Sequence, residues 1–364
     1  MTRRTCFTLA LGLSASLACQ SRPAEPLIGL AVHPAGVDGA TLAVEDLRAK
    51  GLRVRLRTAS RDDADSIGAG AVALAESFVR AGVVAVIGHS SSAASLSAGN
   101  ILNRAQVPML IPNSTSPLLS GIGPWVFRLC GTDKRQGEVL ADYAWRAGFR
   151  RAGVLYVLDD YGKGLAAAFS RSFEQRGGHM VLAVGYSGAG DRNGDLGPGL
   201  ERLRSSSLDV VLLAARTRDL VAAPGAQLLR QAGWPPLLGG DVAYVAVDAG
   251  GFSAPFEGMV VTTFVAPHNA AAERFAERYH RRFGSDPENP SYACYDAVGL
   301  IGGALAEGAS SPAGIRAWLR SLGREREAYE GVTGPMRFDT NGDAQDASFS
   351  LARVTNGAPV ALLP

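Results

Sequence analysis

With 364 residues, 47% of them hydrophobic and 44 of them glycine, the chain is long enough for two domains that each bury a core. The formal net charge is only +2, and Lys50, Lys134 and Lys163 are the only lysines, so 33 of the 36 basic residues are arginine. These arginines are scattered, without runs or interleaved aromatics, which excludes a nucleic-acid groove and a strongly charged docking face.

Arg3 and Arg4 precede an apolar run over 7–17 that closes with Ala18 and Cys19. Residues 1–18 read as a signal peptide, too short to span a membrane. Ser16-Leu17-Ala18-Cys19 resembles a bacterial lipobox with Ser16 in the place of leucine. Cleavage before Cys19 and lipidation of that residue are expected, with 19–26 a short tether to the membrane. The alternative is cleavage after a small residue and release as a free protein. Cys6 leaves with the signal, so Cys130 and Cys294 remain, and in an exported protein they permit one disulfide. The five histidines lie far apart, and none belongs to a metal-ligand spacing.

In chain order, the pattern predicts a buried strand over 27–32, an amphipathic helix over 37–50, an edge strand over 52–58 that alternates with arginine, and a helix over 64–81. A strand over 83–87, a helix over 93–105, and strands over 108–112 and 126–129 follow. The pattern restarts with a helix over 133–146, where Asp133 and Gln136 make a pair like a capping box. Strands are predicted over 152–158, 180–186, 210–215, 237–238 and 259–265. Helices are predicted over 163–176, around Leu200, and over 219–232, 273–283, 292–307 and 312–322. Residues 331–360 read as two strands around a turn at Asn341-Gly342. The repeated βα order calls for parallel sheets covered on both faces, in two successive α/β units.

The stretch 83–119 carries the chemistry. One strand ends in Ser90, Ser91 and Ser92 just where a helix begins, and the next ends in Asn113, Ser114, Thr115 and Ser116. Hydroxyls and the unpaired N–H groups of a helix N-terminus at one sheet edge make an anion site. Helix capping accounts for the same residues equally well.

Three segments carry a family resemblance: VIGHSSSAASLSAGNILNRAQVPMLIPNSTSP over 86–117, VLDDYGKG over 157–164, and GVTGPMRFDTNGD over 331–343. In this order and spacing the chain resembles the type I periplasmic ligand-binding proteins, in the branch of the Leu/Ile/Val receptors of ABC importers. The resemblance implies two Rossmann-like α/β lobes joined by a three-crossing hinge, with crossings near Gly131, Phe264 and Gly331. Lobe I would hold 27–131 and 266–330, and lobe II 132–265 and 331–364. A small polar ligand, an amino acid of branched-chain type or a relative, would sit between the lobes. No cofactor is implied, and an ABC permease is the implied partner.

Carried over residue by residue, the resemblance gives Ser92, Ser114 and Thr115 to the ligand carboxylate, Tyr161 to the opposite wall, and Asp241 to the ammonium. Two departures stand out. The family's longer loop after the first strand is replaced here by His33-Pro34-Ala35-Gly36, which makes His33 a candidate contact. Arg216 and Thr217 follow the strand over 210–215, and an arginine facing the cleft would favour an acidic ligand, unless it turns to solvent.

Three further readings remain open. Gly88 to Ser92 resembles the nucleophile elbow of α/β-hydrolases, with Ser90, Asp241 and His268 in triad order, but Ser92 replaces the final glycine and the two-unit layout does not suit that fold. The same two lobes could serve as a sensor or an envelope partner protein without transport. Asp339, Asn341 and Asp343 alternate as in part of a calcium loop, and equally as in a plain β-turn.

Overall fold

The computed structural model describes residues 25–60, 63, 66–188, 196–216, 219–220, 225–229, 231–244, 256–264 and 270–362. The signal peptide, Cys19, Thr217 and His268 lie outside the described residues.

The first lobe opens with β1 (Leu27–Ala31), α1 (Pro34–Ala49), β2 (Arg55–Thr58), α2 (Ala69–Arg80), β3 (Ala85–Gly88), α3 (Ser92–Arg104), β4 (Met109–Ile111) and β5 (Val126–Arg128). Its five strands are parallel in the order β2-β1-β3-β4-β5. Every residue of β3 is buried, as an unbroken apolar run with helices on both faces requires. At the edge, Arg55 and Arg57 of β2 face solvent, which explains the alternation of that strand.

The second lobe follows with α4 (Asp133–Arg146), β6 (Arg151–Val157), α5 (Asp160–Gln175), β7 (His179–Tyr186), α6 (Leu196–Arg204), β8 (Val210–Ala214), α7 (Gly225–Leu229), β9 (Leu237–Gly239) and β10 (Val260–Thr263). The chain then returns to the first lobe with α8 (Ala270–Phe283), α9 (Asn289–Ala306) and α10 (Pro312–Ser321). Val298, Ile301 and Trp318 join Leu30 and Ile87 in one apolar core. Helices α1 and α9 lie so close that a Cβ on Gly39 would stand 2.0 Å from the Ser291 carbonyl oxygen, so only glycine fits there.

The C-terminal part departs from expectation. A small hairpin of β11 (Tyr329–Gly331) and β12 (Gly334–Met336) precedes β13 (Ser350–Thr355) and β14 (Ala358–Ala361). The long hairpin turns at Asn356-Gly357, both with positive φ, and not at Asn341-Gly342. Strand β13 pairs antiparallel with β10, which gives the second sheet the order β14-β13-β10-β9-β8-β6-β7. Met336 and Phe338 pack in the first lobe, the latter edge-on to Phe127 at 5.1 Å. Residues 331–344 therefore belong with the first lobe, and the third crossing comes after Ala344 rather than near Gly331. There Phe349 packs against Phe264 with ring centroids 5.3 Å apart, and a Cβ on Gly131 would lie 2.5 Å from its ring, so the three crossings meet around one side chain.

The motif over 331–343 is held by buried Arg128. Its guanidinium donates to Asp343 (2.9 Å), to the Ser116 carbonyl (2.7 Å) and to Ser120 Oγ (2.6 Å). Asp339 Oδ1 accepts the N–H groups of Asn341 and Asp343, which makes the segment a β-turn. Arg128 is 1% exposed, so removing its partner leaves a buried, unpaired charge. Asp343→Ala is expected to cost about 3 kcal/mol of unfolding free energy, read from urea denaturation.

Candidate functional site

In the first sheet, β1 lies between β2 and β3, so the strand order reverses there, and the loops after β1, β3 and β4 leave from the same edge. Helix α3 begins at that edge. Ser91 is its N-cap, its hydroxyl accepting the Ala94 N–H at 3.3 Å, which satisfies one of the orphan donors and leaves the serines on either side for other work. Ser92 Oγ accepts the Ser116 N–H at 3.2 Å and ties the two serine-rich loops together. Ser90 Oγ is buried without a hydrogen-bond partner in the protein.

Thr115 is 1% exposed, and its hydroxyl is also without a partner. Ser114 behaves differently. Its hydroxyl is 2.8 Å from Ser95 Oγ and donates to the His89 carbonyl at 3.1 Å, so it braces the loop from inside the lobe and does not present a donor to the cleft. His89 is fully buried, and burial lowers its pKa to about 4, which keeps the ring neutral.

The second lobe meets this edge with α4, α5 and the 3-10 turn Asp241–Tyr244. The Asp133 N–H donates to the Thr115 carbonyl at 2.8 Å, and a Cβ on Gly164 of α5 would lie 3.2 Å from both Pro117 and Asp133. Asp241 follows β9 and is 5% exposed. Its Oδ1 accepts from Gln136 Nε2 at 2.6 Å. Tyr161, in the first turn of α5, is set against the same backbone, since a Cβ on Gly240 would stand 2.2 Å from its hydroxyl. The Tyr161 hydroxyl faces Asp241 and the Thr115 hydroxyl faces Asp133, but neither pair reaches hydrogen-bond geometry.

The sequence pattern pairs Asp133 and Gln136 like a capping box, and the structure corrects that reading. Thr132 is the N-cap, its hydroxyl accepting the Arg135 N–H at 3.3 Å, and both Asp133 and Gln136 turn inward to 0% exposure. The signal was present in the sequence: a threonine already stood in the capping position, so the following aspartate and glutamine were free for other work. Neither oxygen of Asp133 has a hydrogen-bond partner, and Gln136 Oε1 has none either. Burial, and then the neighbouring Asp241, push the Asp133 pKa well above the carboxylate range. Burial also raises Asp241 to about 6, with the Gln136 amide pulling it back.

Contacts and strand register place the remaining candidates. The Arg216 guanidinium pairs with Asp159, whose other oxygen accepts the Gly162 N–H as N-cap of α5. Arg216 thus braces the helix that carries Tyr161 and does not stand open toward a ligand. His33 is half-buried at the same edge of the sheet, two residues past Ala31, which is in register with Gly88. Cys130 and Cys294 are both buried free thiols. The first donates to the Ser114 carbonyl at 3.6 Å, and the second packs under α1 beside Gly36.

Ser90, Thr115, Asp133, Gln136 and Tyr161 thus carry buried polar atoms without protein partners where the lobes meet, and each such group costs about 1–3 kcal/mol. A concentration of them makes this edge the candidate binding site. The pKa of Asp241 is about 6 in the fold against 3.8 in the unfolded chain, so its contribution to stability is complete below pH 3.8 and is lost as pH rises through about 6. Without added ligand, Asp241→Asn should raise the Tm at pH 7.5, by up to about 3 kcal/mol of stability, and should give no gain at pH 3.5. Scanning calorimetry at the two pH values checks this.

The family model for periplasmic binding proteins matches residues 28–359. An amino acid binding protein of Pseudomonas aeruginosa is 26% identical over 361 residues, covering 94% of this chain and 93% of the other. An ABC transporter substrate-binding protein from Desulfitobacterium hafniense, solved in complex with Leu, is 29% identical with a TM-score of 0.75, covering 93% of this chain and 100% of that one. A leucine binding protein from Thermotoga maritima gives a TM-score of 0.78 at 26% identity, covering 93% and 98%. With two mainly parallel α/β lobes, crossings gathered around Phe349 and buried polar groups between them, the chain belongs to the periplasmic binding proteins, in their type I form: ligand-binding proteins of transporters, not enzymes.

Proposed function

We propose that this protein captures an amino acid, of branched-chain type or a relative, between its lobes and delivers it to an ABC importer. One observation carries the reading. Hydroxyls and a helix N-terminus on one lobe face a buried carboxylate and phenol on the other, and the groups between them lack protein partners. The ligand carboxylate lies at the start of α3, against Ser90, Ser92, Thr115 and backbone N–H groups, where the helix dipole favours an anion. The ligand ammonium lies against Asp241, with Tyr161 closing the wall. Ser114, Arg216 and Gln136 act one step back, by holding the loops and side chains that touch the ligand. The names of the relatives support an amino acid, and the family works with ABC permeases.

The test is a thermal-shift screen of the mature protein against amino acids, amides, aromatic acids and dicarboxylates, followed by calorimetric titration of the hits. An amino acid is expected to raise the Tm in step with its excess over Kd. Asp241→Ala should weaken that ligand by about 2–5 kcal/mol while sparing any ligand without an ammonium. A Tm that responds only to acids lacking an amino group would overturn the reading.

The family is periplasmic, and we infer that this member is held at the membrane by a lipid on Cys19. Mass spectrometry of the mature N-terminus should find a diacylglyceryl-cysteine. An unmodified terminus at another residue would mean a freely diffusing protein.

A further inference from the structure

Two carboxylates face the cleft, and the charges around them do not balance. Asp133 is 0% and Asp241 5% exposed, and Gln136 touches Asp241 alone, donating to its Oδ1. The other titratable groups facing the pair are Arg128, Asp159, Tyr161 and Cys130. Arg128 is committed to Asp343, and Asp159 to Arg216. Burial keeps the Tyr161 phenol and the Cys130 thiol protonated. No described lysine or arginine pairs with either cleft carboxylate, so two anions here would share a dry site without a counter-ion. The first turn of α4 favours an anion at Asp133, but that dipole acts on an acid with no hydrogen bond to its carboxylate and a second acid beside it.

We propose that Asp133 stands in the cleft as a neutral carboxylic acid that donates a hydrogen bond to the ligand carboxylate beside Thr115. The cleft then offers a single anion, Asp241, and takes ligands with one cationic group. Asp241 accepts and Asp133 donates, so two residues of one type do opposite work because only one has an amide holding its charge. The raised pKa of Asp133 agrees with this assignment. It also means that lysine and ornithine, which bring a second cation, should be rejected in favour of leucine.

The ligand arm of the test rests on the amino-acid reading above, and two further arms do not. In calorimetric titration with L-leucine at pH 7.5, Asp133→Ala should weaken binding about tenfold, the loss of one charge-assisted hydrogen bond. Asp133→Asn keeps a neutral donor and should recover most of that loss, whereas Asp241→Asn should recover nothing relative to Asp241→Ala. If Asn at 133 binds leucine as poorly as Ala, or if lysine binds the wild type more tightly than leucine, the proposal fails. Without ligand, the wild type should lose stability relative to Asp133→Asn as pH rises from about 5 to 7.5, because the folded wild type holds a proton there that the unfolded chain has already released. A constant gap in Tm means an ionised Asp133 and overturns the proposal. Should Asp133→Asn fail to fold, the infrared spectrum of the wild type at pH 7.5 decides: a protonated-carboxyl stretch is expected, and its absence refutes the assignment. If leucine binds no variant, the amino-acid reading falls, while the stability and infrared arms still judge Asp133.

Discussion

The cleft is governed by the cost of burying a carboxylate without a cation. Asp241 and Asp133 lie where the lobes meet, out of water and without a cation: Asp241 is held by the Gln136 amide and by backbone N–H groups, and the Asp133 carboxyl by no hydrogen bond. A group in that condition stays charged only if a partner arrives, and loses its charge otherwise. Bringing the lobes together therefore strips water from groups that the protein itself does not satisfy. Contact between the lobes is favourable to the extent that a ligand supplies the missing partners, and that differential is what allows a ligand to shift the lobes' equilibrium. The hinge can follow such a shift because the crossings are three and share one packing point at Phe349.

Arg128 shows the opposite solution to the same cost. It is as buried as Asp133, yet every arm of its guanidinium is used: Asp343, Ser120 and the Ser116 carbonyl take its donors. A satisfied buried charge rigidifies what it touches. Here it fixes the C-terminal turn to β5 and holds the loop that carries Thr115 and Ser116 toward the cleft. One buried ionisable group builds the wall, and the other stands between the lobes with no protein partner on its carboxyl. The difference lies in partners, not in burial.

Much of this was legible in the sequence. Unbroken apolar runs marked β3 and β8, and strand ends rich in serine and threonine marked the edge of the first sheet. The placement of Tyr161 and Asp241 came from the family resemblance, and the structure brings them to one place. What was not legible depended on which of two equivalent local signals the tertiary structure uses. Two Asn-Gly pairs could have turned the last hairpin. The pair at 356–357 does so because strands that match β10 flank it, while the pair at 341–342 is captured by Arg128. Asp133 has the sequence pattern of a cap, but Thr132 occupies that position. Arg216 could by sequence face a ligand or solvent, but it pairs with Asp159, 57 residues away in the chain and beyond any local pattern.

The short first loop follows from packing on its far side. Pro34 opens α1 immediately after His33, whose carbonyl accepts the Gly36 and Val37 N–H groups at 2.8 and 3.2 Å. The helix must begin there because its next turns are pinned. Gly36 abuts the Cys294 sulfur, Gly39 abuts the Ser291 carbonyl, and Ser291 Oγ donates to the Ala35 carbonyl at 3.0 Å. A longer loop would have to displace α1 from α9, and a side chain at either glycine would do the same. The wall of the cleft below β1 is therefore set by helix packing, and the unpartnered polar groups lie instead on the loops after β3 and β4 and on the opposite lobe. The loop that ends β1 and the glycines that seat α1 lie at opposite ends of one constraint, and a change at Gly39 would be felt at His33.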